Sequence, residues 1–358
     1  MTTPPSRPML LPSARPLWRD AETLQLGSGP EGQVVLDGLP PRGAEFFHLL
    51  DGRRTETDIV EAACGVGLTP EEASGVLAEL RRRGILLDGD PIGDLPPGLP
   101  SPGRRRVAAE FGAVRLTAGG GAHDRPGVVV ASRTRASVVV RGSGRIAVPL
   151  AALLAAAGVG RVHVVTSGTV TAAEVAVGGY RAGDTRRPRA TAAAEAVRAV
   201  APETSTGPPR PGAPPDFLVL ATTGRPPVVE ALTADVRRVP HLALTLRGDV
   251  PVVGPLVVPG RTACLHCVYL HRCDRDPAWP ALAAQLATAP GERHCAAALA
   301  AVAAGVAALQ VLTQLDGGEP DALSASLEIG TSGGLVRRRT WTPHPRCGCI
   351  RRALADVG

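Results

Sequence analysis

Between residues 16 and 92 the apolar positions fall into short, well-punctuated runs. Residues 23–27 and 33–37 read as strand-like segments on either side of a Gly-Ser-Gly-Pro turn signal, which predicts a β-hairpin. Three short helices come next. The first covers 44–50 and stops at Asp51-Gly52. The second runs from a Thr57 cap through Ala63 and ends near Gly65 and Gly67. The third has the fullest signature: Thr69 as N-cap, Pro70 at the first helical position and Glu72 closing a capping box. Ala73, Val76, Leu77 and Leu80 then form one apolar stripe, and Gly84 ends the helix after Arg81, Arg82 and Arg83. Ile85, Leu86 and Leu87 return as a short strand. A hairpin followed by three small helices predicts a compact, winged-helix-like α+β domain over 16–92.

Beyond residue 107 the periodicity changes. Residues 137–140 form a β-branched run leading into Gly142-Ser143-Gly144-Arg145-Ile146-Ala147 and a helical stretch to Ala157. Residues 162–165 form the next strand, 189–200 a helix and 217–221 a fully apolar strand. Strand and helix alternating at these intervals imply right-handed crossovers, hence a doubly wound, mostly parallel, Rossmann-like α/β domain over 107–358. Two proline-rich breaks frame the domains. Residues 1–15 read as a disordered tail, and 93–106, built around Asp-Leu-Pro-Pro-Gly-Leu-Pro-Ser-Pro, reads as a linker. A third, 206–215, is a loop inside the second domain. The alanine-rich run 296–312 is shorter than a membrane span and holds Gln310, so it reads as a buried helix with no membrane partner.

Composition narrows the chemistry. Every basic residue among the 358 is arginine, so Schiff-base and P-loop lysine chemistry are both excluded. The pI of 9.3 accompanies an Ala-, Arg-, Gly- and Pro-rich composition and does not by itself point to nucleic acid. Arg81 to Arg83 fit a solvated helix end with favourable dipole charge. A DNA-reading role for them would require steeply salt-dependent duplex binding. The start lacks the apolar core of a signal peptide, which predicts a cytoplasmic protein. Seven cysteines, four of them in two tight pairs, fit a metal site better than a disulfide framework.

Two constellations carry chemistry. Gly142, Gly144 and Ala147 match G-x-G-x-x-[GA] between a strand and a helix, the context in which backbone amides approach a phosphate. The alternative is a plain tight turn. The residues after the next strand favour it: Thr166, Ser167 and Gly168, with no acid to hold a ribose before Glu174. Cys264 and Cys267, with Cys347 and Cys349, supply four thiolates from two knuckles, which suits a closed tetrahedral zinc site of structural type. His266, Cys273 or His344 are alternative ligands. Cys295 reads as a small core residue, and Cys273 beside His271 and Arg272 as a weaker candidate reactive thiol.

The second domain resembles the ThiF family, the ubiquitin-activating-like adenylyltransferases. The resemblance rests on residues 142–160 (GSGRIAVPLAALLAAAGVG), 181–190 (RAGDTRRPRA), 259–267 (PGRTACLHC) and 347–349. It implies an ATP and magnesium site that adenylates a carboxyl terminus. It also locates departures. The ribose-binding acid falls at Thr166 or Ser167, the lysine of the R-P-K-A run is Arg189, and the metal-holding aspartate falls at 222–224. Arg181 corresponds to the family's arginine. With both acidic handles on Mg-ATP missing, Gly142, Gly144, Ala147, Arg181 and Arg189 are expected to be a vestigial nucleotide site without bound ATP. Residues 16–88 resemble the peptide-recognition element of ribosomal-peptide modification systems. The combined arrangement is similar to the leader-peptide-binding partner of a thiazole/oxazole-modified microcin cyclodehydratase. This implies a non-catalytic subunit. A precursor leader would add to the hairpin at Gln33, Val34, Val35 and Leu36 and pack on Ala73, Val76, Leu77 and Leu80. The α/β domain would dock a YcaO-type enzyme that forms azolines, and the family implies a homodimer. The enzyme alternative is an active adenylyltransferase with Arg145, Arg181 and Arg189 on phosphates and Asp184 or Asp216 on the metal.

Overall fold

The computed structural model describes residues 6–11, 14–27, 34–83, 85–88, 95, 98–110, 126–221, 225–232, 235–288, 294–330 and 336–349. The chain divides into two compact units, Met1–Ser132 and Arg133–Gly358.

In the first unit the predicted hairpin is part of a three-stranded antiparallel sheet. Strands β2 (Pro16–Trp18), β3 (Leu24–Leu26) and β4 (Val34–Leu36) lie in that order. Leu24 and Leu26 on one face of the central strand are fully buried, whereas Gln25 between them is not, the two-residue alternation of a half-buried sheet. Helices α1 (Gly43–Leu49), α2 (Glu56–Ala63) and α3 (Pro70–Arg82) close over that face. The core joins Leu24 and Leu26 to Phe46, Phe47, Ile59, Ala73, Leu77 and Leu80. The α3 capping box forms as expected: the Thr69 hydroxyl accepts from the Glu72 N–H, and the Glu72 carboxylate accepts from the Thr69 N–H. The α2 cap is Thr55, not Thr57. Asp58 completes a second box there, so the helix starts earlier than the sequence suggests.

Two boundaries differ from the sequence expectation. Pro8–Leu10, expected in a disordered tail, form strand β1, antiparallel to β5 (Leu86–Asp88), with Met9 opposite Leu87 and Leu10 opposite Leu86. The expected linker holds helix α4 (Ser101–Ala108), with Pro102 in its first turn, where a missing N–H costs nothing. Leu95 and Val107 bury with Val129 and Val130 of α5 (Pro126–Arg133), giving this stretch a small core of its own. Proline density therefore marked a structured segment, and the unit boundary lies at 132, not near 100.

The second unit is built on a seven-stranded sheet of order β12-β11-β10-β9-β8-β6-β7. The strands are β6 (Ser137–Gly142), β7 (Arg161–Val165), β8 (Phe217–Ala221), β9 (His241–Arg247), β10 (Val250–Val257), β11 (Ala325–Ile329) and β12 (Val336–Thr340). β7, β6, β8 and β9 are mutually parallel; β10, β11 and β12 add in alternating direction. The central sheet is thus mostly parallel, five strands running one way, with an antiparallel extension. Helix α6 (Gly144–Ala156) crosses from β6 to β7, and α7 (Arg189–Val200) from β7 towards β8. Helices α8 (Leu265–Arg275) and α9 (Trp279–Thr288) come after β10. The neighbours of β6 leave in opposite directions, so its carboxyl end is the switch point where a crevice opens in doubly wound sheets. The alanine-rich run forms α10 (Ala297–Leu315), packed against α6 and sinking Ala300, Ala303, Ala304, Ala307 and Val311 into the core. By length and composition α10 could cross a membrane, but half of its apolar window is buried inside the unit. A buried, bidentate ion pair, Arg133 Nε to Asp316 Oδ1 at 2.7 Å, ties the start of this unit to the end of α10.

Candidate functional sites

The four cysteines converge. Cys264 is the N-cap of α8, Cys267 lies in its first turn, and Cys347 and Cys349 come from the turn after β12. Cys264 Sγ lies 3.7 Å from Cys267 Sγ and 3.5 Å from Cys347 Sγ, and Cys267 Sγ lies 3.5 Å from Cys349 Sγ. All four sulfurs fall within 4.8 Å of one another. A tetrahedron with zinc–sulfur bonds of about 2.3 Å has edges of about 3.8 Å, so the donor set has the spacing a metal ion requires. The His344 N–H donates to Cys267 Sγ at 3.3 Å, the kind of outer hydrogen bond that steadies a thiolate. Among the thiols, Cys267 is pushed down to about 4, first by its hydrogen bond with Cys264 and then by backbone N–H groups that outweigh burial. The Cys349 thiol is pushed up to about 11 by burial and by its neighbours.

The alternative ligands lie outside the cluster. His344 spends both ring nitrogens elsewhere: Nε2 meets Asp274 Oδ2 at 2.7 Å, and Nδ1 accepts from the Arg346 N–H. His266 is exposed, and Cys273 does not join the converging sulfurs. Cys295 is buried in the main core, and burial pushes its thiol up, as expected of a structural residue.

At the glycine turn the backbone is as the sequence suggests. Gly142 has φ of +137°, and a Cβ there would lie 2.3 Å from the Ala221 carbonyl oxygen, so any side chain would separate β6 from β8. Gly144, at φ +85°, starts α6. A carboxylate fills the turn. Glu174, fully buried, accepts from the Ser143 hydroxyl through Oε1 (2.8 Å) and from the Thr171 N–H through Oε2 (2.8 Å). Arg189 closes on the same Oε2 from Nε (3.0 Å) and Nη2 (2.8 Å). Burial raises the Glu174 carboxyl, but Thr171, Arg189 and Ser143 outweigh it and hold it below the usual range. Oε1 lies 3.9 Å from the position a Gly144 Cβ would take. A negative group thus already occupies the helix N-terminus, where a phosphate would seek backbone N–H groups and a positive dipole.

The other residues considered for nucleotide chemistry do not assemble there. Ala147 is fully buried in the core. Arg181 is exposed, and its backbone N–H donates to Asp184. Asp184 is also ion-paired with Arg187. Asp216 caps the amino end of β6 through the Ser137 N–H at 2.7 Å. It precedes β8, whose far end, Ala221, pairs with Gly142. Five residues of strand, about 17 Å, separate it from the turn. Positions 222–224, where the resemblance puts the metal-holding acid, lie outside the described residues. Glu174 itself escaped sequence reading, because its role depends on a return of the chain. The local signal was the Thr171-x-x-Glu174 box, which closes a turn at the mouth.

On the first unit, β4 is an edge strand with no strand on its outer side among the described residues. Val34 is buried, Val35 is 40% exposed and Leu36 half-buried; Gln33 lies outside the described residues. Of the α3 stripe, Ala73, Leu77 and Leu80 are fully buried against the sheet. The stripe is what attaches the helix to the core, so these three are not surface contacts, while Val76 on the rim is half-buried.

Residues 131–208 match the ThiF family, and the second unit has a ThiF-type fold. The same fold is seen in solved structures of low identity. E. coli MccB with MccA-N7isoASN is 15% identical, TM-score 0.67, over 96% of this chain and 99% of that one. E. coli MccB with succinimide gives 14% and 0.68 over the same shares. PaaA gives 17% and 0.58, over 74% of this chain and 91% of that one. A comparison of the sequence with curated proteins finds no match.

Proposed function

We propose that this chain binds the leader of a ribosomally made precursor peptide and presents it to a separate YcaO-type cyclodehydratase for azoline formation. In this reading the ThiF-type unit is a zinc-clamped, non-catalytic body. The observation that carries the reading is the β4 edge. Its three residues contain no proline, whereas the opposite edge, β2, begins with Pro16, which cannot donate. A leader adding as a fourth strand would gain backbone hydrogen bonds from β4. Its side chains would pack on Leu36 and Val76, both on the rim of the same core. Ala73, Leu77 and Leu80 support that groove from beneath. A crystal structure of E. coli MccB holds MccA, which supports a peptide partner for a chain of the same fold. Tethering a core peptide near the enzyme raises its effective concentration there.

Zinc on Cys264, Cys267, Cys347 and Cys349 leaves no open coordination position, so its role is to join α8 to the segment after β12. The adenylyltransferase reading draws on MccB crystals with ATP. The Glu174–Arg189 pair argues against it here. The full chain is titrated by fluorescence anisotropy with the labelled precursor leader, with and without ATP. Saturable, ATP-independent binding is expected, weakened by about tenfold or more in Val76→Asp with unchanged thermal stability. Wild-type binding by Val76→Asp removes the groove. Peptide-dependent pyrophosphate exchange establishes adenylation in its place.

A further inference from the structure

A second cluster lies on the antiparallel side of the sheet and shares no residue with the glycine turn, the cysteines or β4. Arg225, Arg247, Arg272, Arg275 and Arg339 line one cleft of about 340 Å³ together with Trp279. They come from five places: the segment after β8, the end of β9, two turns of α8 and the edge strand β12. Acids are few. Glu328 is engaged by Arg247 at 2.7 Å, and Asp276 Oδ1 accepts from the Ala278 N–H.

Arg272 is the centre of this group. Its guanidinium lies 4.9 Å above the Trp279 ring, half-buried, and makes no hydrogen bond among the described residues. Burial, then repulsion from Arg247 and Arg339, pushes it down to about 10. Arg339 stacks on Trp341 and likewise lacks an acceptor, and among the described residues the buried Trp279 indole N–H has no partner. The unpartnered groups of Arg272, Arg339 and Trp279 are all donors. A half-buried guanidinium repelled by its neighbours is costly unless an anion compensates it. The complement is a ligand that only accepts and carries several negative charges in a small volume. Separate carboxylates along a chain spread their charge, whereas linked phosphoryl groups concentrate it and match arginine forks.

We propose that this cleft binds a multivalent phosphoryl oxyanion, either free pyrophosphate or the polyphosphate of a nucleotide. The test is calorimetric titration of the full chain with pyrophosphate at low ionic strength, repeated with ATP and with triglutamate. One-to-one binding is expected. Arg272→Gln and Arg339→Gln should each weaken it about tenfold or more, the loss of a charge-assisted contact. Arg210→Gln, an exposed loop arginine outside the cleft, should leave it unchanged. Thermal unfolding of Arg272→Gln reports folding, and Arg339→Gln, on a different element, repeats the test. ATP displacing pyrophosphate identifies a nucleotide; pyrophosphate binding without ATP competition identifies the free anion. No binding, equal loss in Arg210→Gln, loss in Arg189→Gln but not Arg272→Gln, or preference for triglutamate each overturns the assignment.

Discussion

At the residue scale, Glu174 shows why a glycine fingerprint is weak evidence for a ligand. Gly142 is required by the close approach of Ala221 whether or not a phosphate ever arrives. The carboxylate at the turn and Arg189 satisfy each other, both largely buried. Glu174→Gln removes the buried negative charge that pairs with Arg189 and should cost about 3 kcal/mol, read from urea midpoints at neutral pH. The pH dependence has a definite sign. The folded carboxyl lies below its usual 4.5, so its contribution is complete above that value and fades as pH falls through the folded one. The variant should lose that part of the acid sensitivity; equal acid sensitivity in both proteins would contradict the ion-pair account. The cysteines illustrate the opposite case. The four-cysteine cluster was legible because two short spacings are local facts, and only the meeting of the pairs needed the fold. Cys349→Ser should lower bound zinc from about one per chain towards zero by metal analysis, with loss of stability. Full zinc retention in that variant would reassign the site.

At the element scale, α3 was readable almost to the residue, because Thr69, Pro70 and Glu72 determine its start by local chemistry. The use of its stripe was not. An apolar face says that something covers it, and the covering element here is the unit's own sheet. Leu77→Asp should therefore unfold the first unit, seen as a lost cooperative transition in a thermal melt, whereas Val76→Asp keeps it. A folded Leu77→Asp protein would contradict the role of that side chain as a core anchor. Strand β2 was missed because three residues beginning with proline carry no period of two. Strands β9 to β12 were missed for a different reason. Fully buried strands such as β10 show continuous apolar runs, and their direction depends on partners distant in sequence. The arginine cleft is hidden in the same way, since its five arginines span residues 225–339 and share no motif.

For the whole molecule, the doubly wound sheet followed from alternation, while the division into units did not, because Leu95 and Val107 give the proline-rich stretch its own core. The remaining large-scale feature is α10. Its 19 residues contain no charged side chain, and its outer face exposes Val302 (40%) and Leu309 (53%) beside exposed Ala298 and Ala301. Leu153 on the neighbouring α6 is also 42% exposed. Small residues let another backbone approach, and an uncharged face matches a second copy of itself without unpaired charge, which suits a two-fold homodimer. Light scattering behind size exclusion should give a dimer for the wild type and a monomer for Leu309→Asp. Leader binding per chain should be unchanged, since β4 belongs to the other unit. A wild-type monomer across micromolar concentrations would overturn this reading of the face.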